Sequence, residues 1–295
     1  MGKISAQNVK FVFFGTPAIA VDVLGELEAA GYVPAVVVTA PDRARSRGRV
    51  VQGTPAKAWA LKRGIDVLQP EQITPKFVAE LGNTEWDIFV VAMYAKLLPK
   101  KLIELPRRGT LNVHPSLLPK LRGPSPVRTA ILTDEKNAVG VSVMLLDEEM
   151  DHGPVIAQAS VEPESWPMSG TLLEHLLAHE GGRLLAETIS VWMKGEVKPE
   201  EQDHSQATYT KKIVKQDAHI NLADDPHKNL LKICAYADSP GAFTFFERNG
   251  KPIRTLIIGA HLENGELVLD TVKPEGKQEM LYADFVRSGA KPAQL

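Results

Sequence analysis

Five short apolar runs recur along the first half of the chain, and they constrain its fold more than any other feature. The runs are KFVFFG (10–15), VPAVVVTA (33–40), DIFVVAM (87–93), TLNVH (110–114) and VGVSVMLLD (139–147). Most are continuously apolar, which is typical of strands buried on both faces. We therefore predict an α/β fold, with a mostly parallel sheet and helices on both of its faces.

Helical patterns separate these runs. Residues 17–31 have helical spacing, with Pro17 near the start and Gly31 at the end. A second helix is expected over about 55–63, and a longer one from Leu172 to Met193 should cover the sheet. In sheets of this kind ligands bind beyond the carboxyl ends of the strands, so a functional site is expected there.

The composition changes after the long helix. The polar stretch KGEVKPEEQDHSQATYTKK (194–212) reads as a linker, and a helix follows over about 226–237. Short strands come next, with Asn-Gly hairpin turns in ERNGKP and ENGEL. We divide the chain into a catalytic domain over 1–200 and a small β domain over 201–295, which includes the linker.

Composition excludes several classes of protein. No run reaches the roughly 20 apolar residues that a membrane helix needs, and the N-terminus lacks an apolar signal core. The single cysteine, Cys234, cannot form an internal disulfide, so we expect a cytoplasmic protein. The net charge of −2 excludes a uniformly basic surface but allows a local basic patch.

One apolar run carries a polar pair. Asn112 and His114 are two residues apart, so they share one face of their strand, and Pro115 ends the strand at once. Alone, such a pair is more often bonded to loop backbone. The next strand, however, leads to Asp151 at the same edge of the sheet. A carboxylate can orient a histidine and stabilise its charged form, and an amide can donate to a developing oxyanion. We predict an acyl-transfer site.

At these residues the sequence resembles the methionyl-tRNA formyltransferases, which depend on 10-formyltetrahydrofolate. The resemblance covers most of residues 10–160 in family order and extends into the C-terminal part. Its motifs are FFGTP (13–17), TAPDRARSRGR (39–49), VAMYAKLLP (91–99), LNVHPSLLPKLRGPSPV (111–127), MDHGPVIAQ (150–158), PGAFTF (240–245) and VKPEGKQEMLYADF (272–285).

The resemblance implies a fold, a reaction and a set of residue roles. It implies a Rossmann-like catalytic domain followed by an OB-like β-barrel. The implied reaction is formyl transfer from the folate to the α-amino group of methionyl-initiator tRNA, for translation initiation, with no metal. We expect a monomer that binds the folate and the tRNA acceptor stem and no membrane. The implied catalytic residues are Asn112, His114 and Asp151; the implied folate-binding residues are Ser116, Leu117, Leu118 and Pro119; the implied amino-acid pocket contains Gly15 and Thr16.

An arginine-rich loop follows the second apolar run. Arginines occupy every second position from Arg43 to Arg49 in PDRARSRGR. Such a loop is commonly just solvated, but nucleic-acid affinity comes largely from basic side chains at phosphates. The resemblance implies that Arg43, Arg47 and Gly48 contact the acceptor arm. Ala44 and Ser46 stand where the family usually has Pro and Gly.

Other polar residues are weaker candidates. His175 and His179 are four residues apart on a helix but lack a third metal ligand, so an exposed helix face is the better interpretation. Cys234 is predicted to be a core residue rather than a nucleophile. A second RNA contact at Lys211, Lys212 and Lys215 is as plausible as a solvated linker.

Three other functions stay open from the sequence alone. A sugar-nucleotide N-formyltransferase would share the folate site but lack the arginine loop. A 10-formyltetrahydrofolate hydrolase would place water where the amine binds. An inactive formyltransferase fold could serve only to bind RNA or folate, although intact candidate catalytic residues argue against that.

Overall fold

The structure is a computed structural model that describes residues 9–45 and 50–293. The chain divides into two units, and it passes between them several times. The first unit takes the chain up to Arg122, together with 140–161 and 175–209. The second takes 123–139, 162–174 and the chain from Thr210 onward.

The first unit is built on a sheet that has seven strands within the described residues. In chain order the unit contains β1 (Phe11–Phe14), β2 (Val36–Val38), β3 (Arg43–Arg45), β4 (Val50–Gln52), β5 (Asp66–Leu68), β6 (Ile88–Val91), β7 (Thr110–His114), β8 (Gly140–Leu145) and β9 (Val155–Ser160). The sheet order is β5-β2-β1-β6-β7-β8-β9, and β3 and β4 form a separate ladder. The first five strands of that order, from β5 through β2, β1 and β6 to β7, run parallel to one another. Strand β8 is antiparallel to β7, and β9 is antiparallel to β8. The prediction of a mostly parallel sheet is confirmed.

Helices separate the strands as the sequence predicted. They are α1 (Ala18–Ala29), α2 (Pro55–Leu61), α3 (Pro75–Gly82), α4 (Lys100–Ile103), α5 (Pro126–Leu132), α6 (Gly170–Lys194), α7 (Pro226–Ala235) and α8 (Tyr282–Arg287). Both α2 and α3 begin with a threonine cap followed by proline, because the Thr54 and Thr74 hydroxyls accept backbone N–H groups of the first turn. No helix of the described residues is long and apolar enough to cross a membrane.

Strand β1 shows why the central strands are continuously apolar. Phe11 and Phe13 pack on one face of the sheet, with Leu24 of α1 and Leu185 of α6. Its alternate residues pack on the other face, beside Phe77 of α3. Since helices cover both faces, every side chain of β1 is fully buried.

The second unit contains an antiparallel sheet that has five strands within the described residues. Its strands are β10 (Phe243–Arg248), β11 (Lys251–Glu263), β12 (Glu266–Pro274), β13 (Met280–Leu281) and β14 (Lys291–Pro292), in the order β13-β12-β11-β10-β14. Asn249 and Asn264 have φ of 54° and 52°, and each precedes a glycine with positive φ. Both predicted Asn-Gly hairpins are therefore confirmed.

Candidate active site

The polar pair of β7 lies at the carboxyl end of the central sheet. Strand β7 pairs in parallel with β6 and in antiparallel with β8, which brings His114 opposite Ser142. Asn112 and His114 are 9% and 4% exposed. Burying two polar side chains costs free energy unless they have protein partners or bind a ligand. The pair therefore indicates either a structural hydrogen-bond network or a binding site.

His114 has oxygen atoms at both ring nitrogens. Its Nε2 lies 3.1 Å from the carbonyl oxygen of Leu121, and its Nδ1 lies 3.5 Å from Oδ1 of Asp151. The carbonyl can only accept, so Nε2 carries a hydrogen in this contact. The Asp151 carboxylate lies at ion-pair distance from the other ring nitrogen. An imidazole beside a carboxylate is an arrangement that can serve acid–base chemistry.

Hydrogen bonds to its backbone carbonyl groups and close packing at a glycine hold the turn that carries Asp151 in place. Asp151 has a φ of 51°, in the left-handed region. Gln202 donates from Nε2 to the carbonyl oxygens of Asp151 and Gly153, at 2.9 and 2.7 Å. A Cβ at Gly153 would collide with the carbonyl oxygen of Leu145, so only glycine fits there. These constraints fix the turn against the end of β8.

The Asn112 amide is the available hydrogen-bond donor of the site. Within residues 9–45 and 50–293 its side chain forms no hydrogen bond with the protein. It is nearly buried and shares a strand face with His114. An oxygen atom of a ligand placed there would receive a hydrogen bond in a largely water-free setting, where such a bond is strong.

The predicted folate-binding segment, Ser116 to Pro119, is tied down by hydrogen bonds. The fully buried Ser116 hydroxyl donates to the carbonyl oxygen of Lys120, at 2.6 Å. Ser142 donates to the carbonyl oxygen of Ser116 and accepts from the Leu118 N–H, and Gln158 donates to the Leu118 carbonyl. These groups shape the loop, and folate binding by the segment stays a prediction.

Gly15 and Thr16 lie just beyond β1, at the same edge of the sheet as the pair. A Cβ at Gly15 would collide with the Phe13 ring, which makes glycine necessary. The Thr16 hydroxyl accepts from the Ala40 N–H at 3.2 Å. Because β6 separates β1 from β7, the two positions are about 10 Å apart across the sheet. A substrate that contacts both positions has to extend across that gap.

The arginine loop has an ordered base. Arg43 is exposed and lies in β3, which pairs with β4 through Arg43 and Gln52. Arg47 and Gly48 lie outside the described residues. At the base, the Asp42 carboxylate accepts from Gln69 at 2.7 Å and from Lys57 at 2.5 Å. The hydrogen bonds from Gln69 and then Lys57 hold the pKa of Asp42 below its usual value.

The remaining candidates have structural partners. His175 and His179 of α6 lie 2.5 and 2.7 Å from carboxylate oxygens of Asp22 and Glu26 on α1. No cluster of metal-ligating side chains occurs in the part of the chain that the structure describes. Burial raises the pKa of the Cys234 thiol to about 11, which suits a packed residue and not a nucleophile.

Two buried residues of the site were missed in the sequence. They are Arg122, in the LRG triplet after the SLLP segment, and Gln202, in the stretch that reads as a linker. A charged residue inside an apolar motif was the one available indication for Arg122. Nothing near Gln202 in sequence indicates its contacts, since its partners lie 80 and about 50 residues away.

The chain has known relatives in both sequence and fold. Residues 8–189 match the family model described as formyl transferase. A methionyl-tRNA formyltransferase of Roseiflexus sp. is 38% identical, over 95% of this chain and 92% of its own length. One from Chloroflexus aggregans is 41% identical, over 81% of this chain and 77% of its own. A solved sugar N-formyltransferase from Shewanella sp. covers 92% of this chain and 99% of its own at a TM-score of 0.61, but at 15% identity it supports the fold alone.

Proposed function

The chain belongs to the formyl transferase family, and we propose that it transfers a formyl group from 10-formyltetrahydrofolate to the α-amino group of methionyl-initiator tRNA. One observation carries the proposal. The nearly buried Asn112 and His114 share one strand face, and His114 lies 3.5 Å from Asp151, in a chain that aligns over 92% of a methionyl-tRNA formyltransferase.

The proposed reaction assigns a role to each of the three residues. The neutral amine of the methionine attacks the formyl carbon, and a tetrahedral oxyanion forms. The Asn112 amide donates to that oxygen as its charge develops. The amine nitrogen loses a proton, the bond between the formyl carbon and N10 breaks, and N10 gains a proton.

His114 and Asp151 act in this scheme as one proton-holding pair. The pair supplies a proton to N10 and takes one from the amine, so no net proton is consumed. The carboxylate keeps the ring oriented and balances its charge, as the 3.5 Å contact allows. Because the amine itself is the nucleophile and the formyl group arrives activated, the step requires no metal.

The tRNA would be held by surfaces away from the reacting atoms. We assign the acceptor arm to the arginine loop between β3 and β4, where Arg43 is exposed. We assign a further contact to the second unit, as an OB-like platform. Its β10 and β11 carry Arg254 over the Phe243 ring at 3.9 Å, the cationic and aromatic chemistry that bases and phosphates favour.

A product assay tests the proposal. The protein is incubated with 10-formyltetrahydrofolate and charged initiator tRNA, and the amino acid released by mild base is analysed by mass spectrometry. We expect formylmethionine from the wild type and at least a hundredfold less from Asn112→Ala. A parallel reaction without tRNA measures formate. Formate release at the same rate with and without tRNA, and no formylmethionine, would identify a hydrolase and refute the proposal.

A further inference from the structure

Among the side chains of the described residues that are almost completely buried, Arg122 is the largest, and it is 1% exposed. Within the described residues, no Asp or Glu forms an ion pair with its guanidinium. Its hydrogen bonds go instead to neutral acceptors, namely Gln202, His204 and the Tyr209 hydroxyl. Burying a guanidinium with neutral partners is costly. A buried charge held in this way indicates a function beyond packing.

The main acceptor of Arg122 is the Gln202 amide, and its orientation is unambiguous. Gln202 Oε1 accepts from Arg122 Nη2 at 2.7 Å and Nε at 3.2 Å. A guanidinium only donates, so the amide oxygen must face it. The amide nitrogen then faces the carbonyl oxygens of Asp151 and Gly153 and donates one hydrogen to each. All the hydrogen-bonding capacity of this amide is used.

The chain around Gln202 contacts both loops that flank the candidate catalytic residues. On one side, Glu200 exchanges two backbone hydrogen bonds with Val155, at 2.7 and 2.8 Å, just beyond the Asp151 turn. On the other side, Thr208 accepts from the Arg122 N–H at 2.9 Å through its carbonyl and from the Leu121 N–H at 2.8 Å through its hydroxyl. Residues 200–209 therefore join the Asp151 turn to the peptide that receives the His114 hydrogen bond.

We propose that Arg122 and Gln202 are positioning residues that set the Asp151 carboxylate against His114. The Arg122 guanidinium orients the Gln202 amide, and the amide holds the turn from Asp151 to Gly153 by its backbone. Neither side chain contacts the reacting atoms in this scheme. The inference rests on the proposed formyl transfer, because it assigns Asp151 a part in catalysis.

The test is a double-mutant cycle between Gln202→Glu and Asp151→Asn. Glutamate keeps the shape of glutamine and still accepts from Arg122. It replaces the amide nitrogen, which donates to the carbonyl oxygens of Asp151 and Gly153, with a carboxylate oxygen that cannot donate. We expect Gln202→Glu to lower kcat by about tenfold, with KM for the folate and for tRNA changed less than twofold. In the Asp151→Asn background the same substitution should lower kcat by less than about twofold, since the residue it acts through is already disabled.

A matched control separates positioning from general stability. Arg128 of the second unit is also a largely buried arginine, bound to Glu174 and to the Ala235 carbonyl at 2.8 and 2.7 Å. Arg128→Lys should lower the melting temperature while leaving kcat within twofold in both backgrounds. If Gln202→Glu costs the same factor in both backgrounds, or leaves kcat unchanged, the positioning role is wrong.

Folding and function are controlled separately. If circular dichroism shows that Gln202→Glu does not fold, Gln202→Met takes its place in the same cycle, because it removes both donors, together with the acceptor of Arg122, without adding charge. The wild type is assayed first with each acceptor. If it formylates a different amine from the same folate, the proposed acceptor is wrong, and the cycle with that amine still decides the positioning role.

Discussion

At the scale of single residues, the sequence indicated those candidate site residues that break a local pattern. Asn112 and His114 stand out because polar side chains are costly in a buried strand. Gln202 does not stand out, and the charge of Arg122 inside an apolar motif does not reveal its partners, because these lie far away in sequence and only the folded chain brings them together. The hydrogen bond of the Ser116 hydroxyl to the Lys120 carbonyl was hidden as well, since no motif reveals which backbone group a hydroxyl will meet.

The three candidate catalytic residues should each be needed for turnover but not for folding. We expect Asn112→Ala, His114→Ala and Asp151→Ala to lower kcat by about a hundredfold or more, the range for oxyanion donors and acid–base groups. Single-turnover rates measure the loss, and circular dichroism checks the fold. A folded variant with a rate near that of the wild type would remove its residue from the mechanism.

The single cysteine should react slowly in the native protein. Burial raises the pKa of the Cys234 thiol from 9.0 to about 11, which lowers its thiolate fraction at pH 8 by about a hundredfold. We expect a thiol-specific chromogenic disulfide to label the native protein at least that much more slowly than the protein in concentrated urea. Equal rates in both would show that the helix carrying Cys234 is open in solution.

At the scale of elements, the apolar strands and the helices between them followed from periodicity. The prediction was less complete where hydrogen bonds join segments that are far apart in sequence. Residues 194–212 read as a linker because they are polar, yet residues 200–209 contact the loops on both sides of His114 and Asp151. Most side chains of this stretch are exposed, but Gln202 is buried and hydrogen-bonded on both sides, and composition alone does not distinguish such a segment from a solvated one.

The arginine loop is the element that should bind phosphate. We expect Arg43→Ala and Arg47→Ala to weaken binding of charged tRNA and to leave folate affinity unchanged. Each substitution should also make the dependence of log Kd on log salt shallower, by about 0.9 for each duplex phosphate that the variant no longer neutralises. Fluorescence titrations at several salt concentrations measure the slope. An unchanged slope and affinity in both variants would mean that the loop is solvated and does not touch the tRNA.

The base of that loop should lose stability in acid. Hydrogen bonds from Gln69 and Lys57 lower the pKa of Asp42 from 3.8. A lowered pKa means that this contribution is complete above the unfolded-state value and disappears as pH falls through the folded-state value. Urea unfolding should therefore separate the wild type from Asp42→Asn at neutral pH, with the difference shrinking below pH 3.8. A difference that grows in acid would contradict the assignment.

At the scale of the whole molecule, the chain passes repeatedly between its two units. Residues 123–139 and 162–174 belong to the second unit, although each is flanked by segments of the first. Sequence patterns give the two kinds of sheet but not this interleaving, because α5 looks like any other helix of an α/β domain. Its assignment depends on packing with α7, about 100 residues later.

This interleaving predicts that the C-terminal part cannot be removed cleanly. In the second unit, the Arg128 guanidinium donates to the carbonyls of Ala235 and Ser239, at 2.7 and 2.8 Å. A chain that stops after Tyr209 lacks α7, so α5 loses its packing partner. The largely buried Arg128 then also lacks these two carbonyl acceptors. We expect this truncation to aggregate or to melt at least about 10 °C lower. A soluble, fully stable truncation would show that α5 needs no partner.

The central claim is that the formyl group reaches the methionine on initiator tRNA, and one competition measures it directly. The wild type receives limiting 10-formyltetrahydrofolate together with charged initiator tRNA and an amino-sugar nucleotide, and mass spectrometry locates the formyl group. We predict that formylmethionine accounts for nearly all of the product. Formyl transfer mainly to the amino sugar would contradict the claim, even with Asn112, His114 and Asp151 all catalytic.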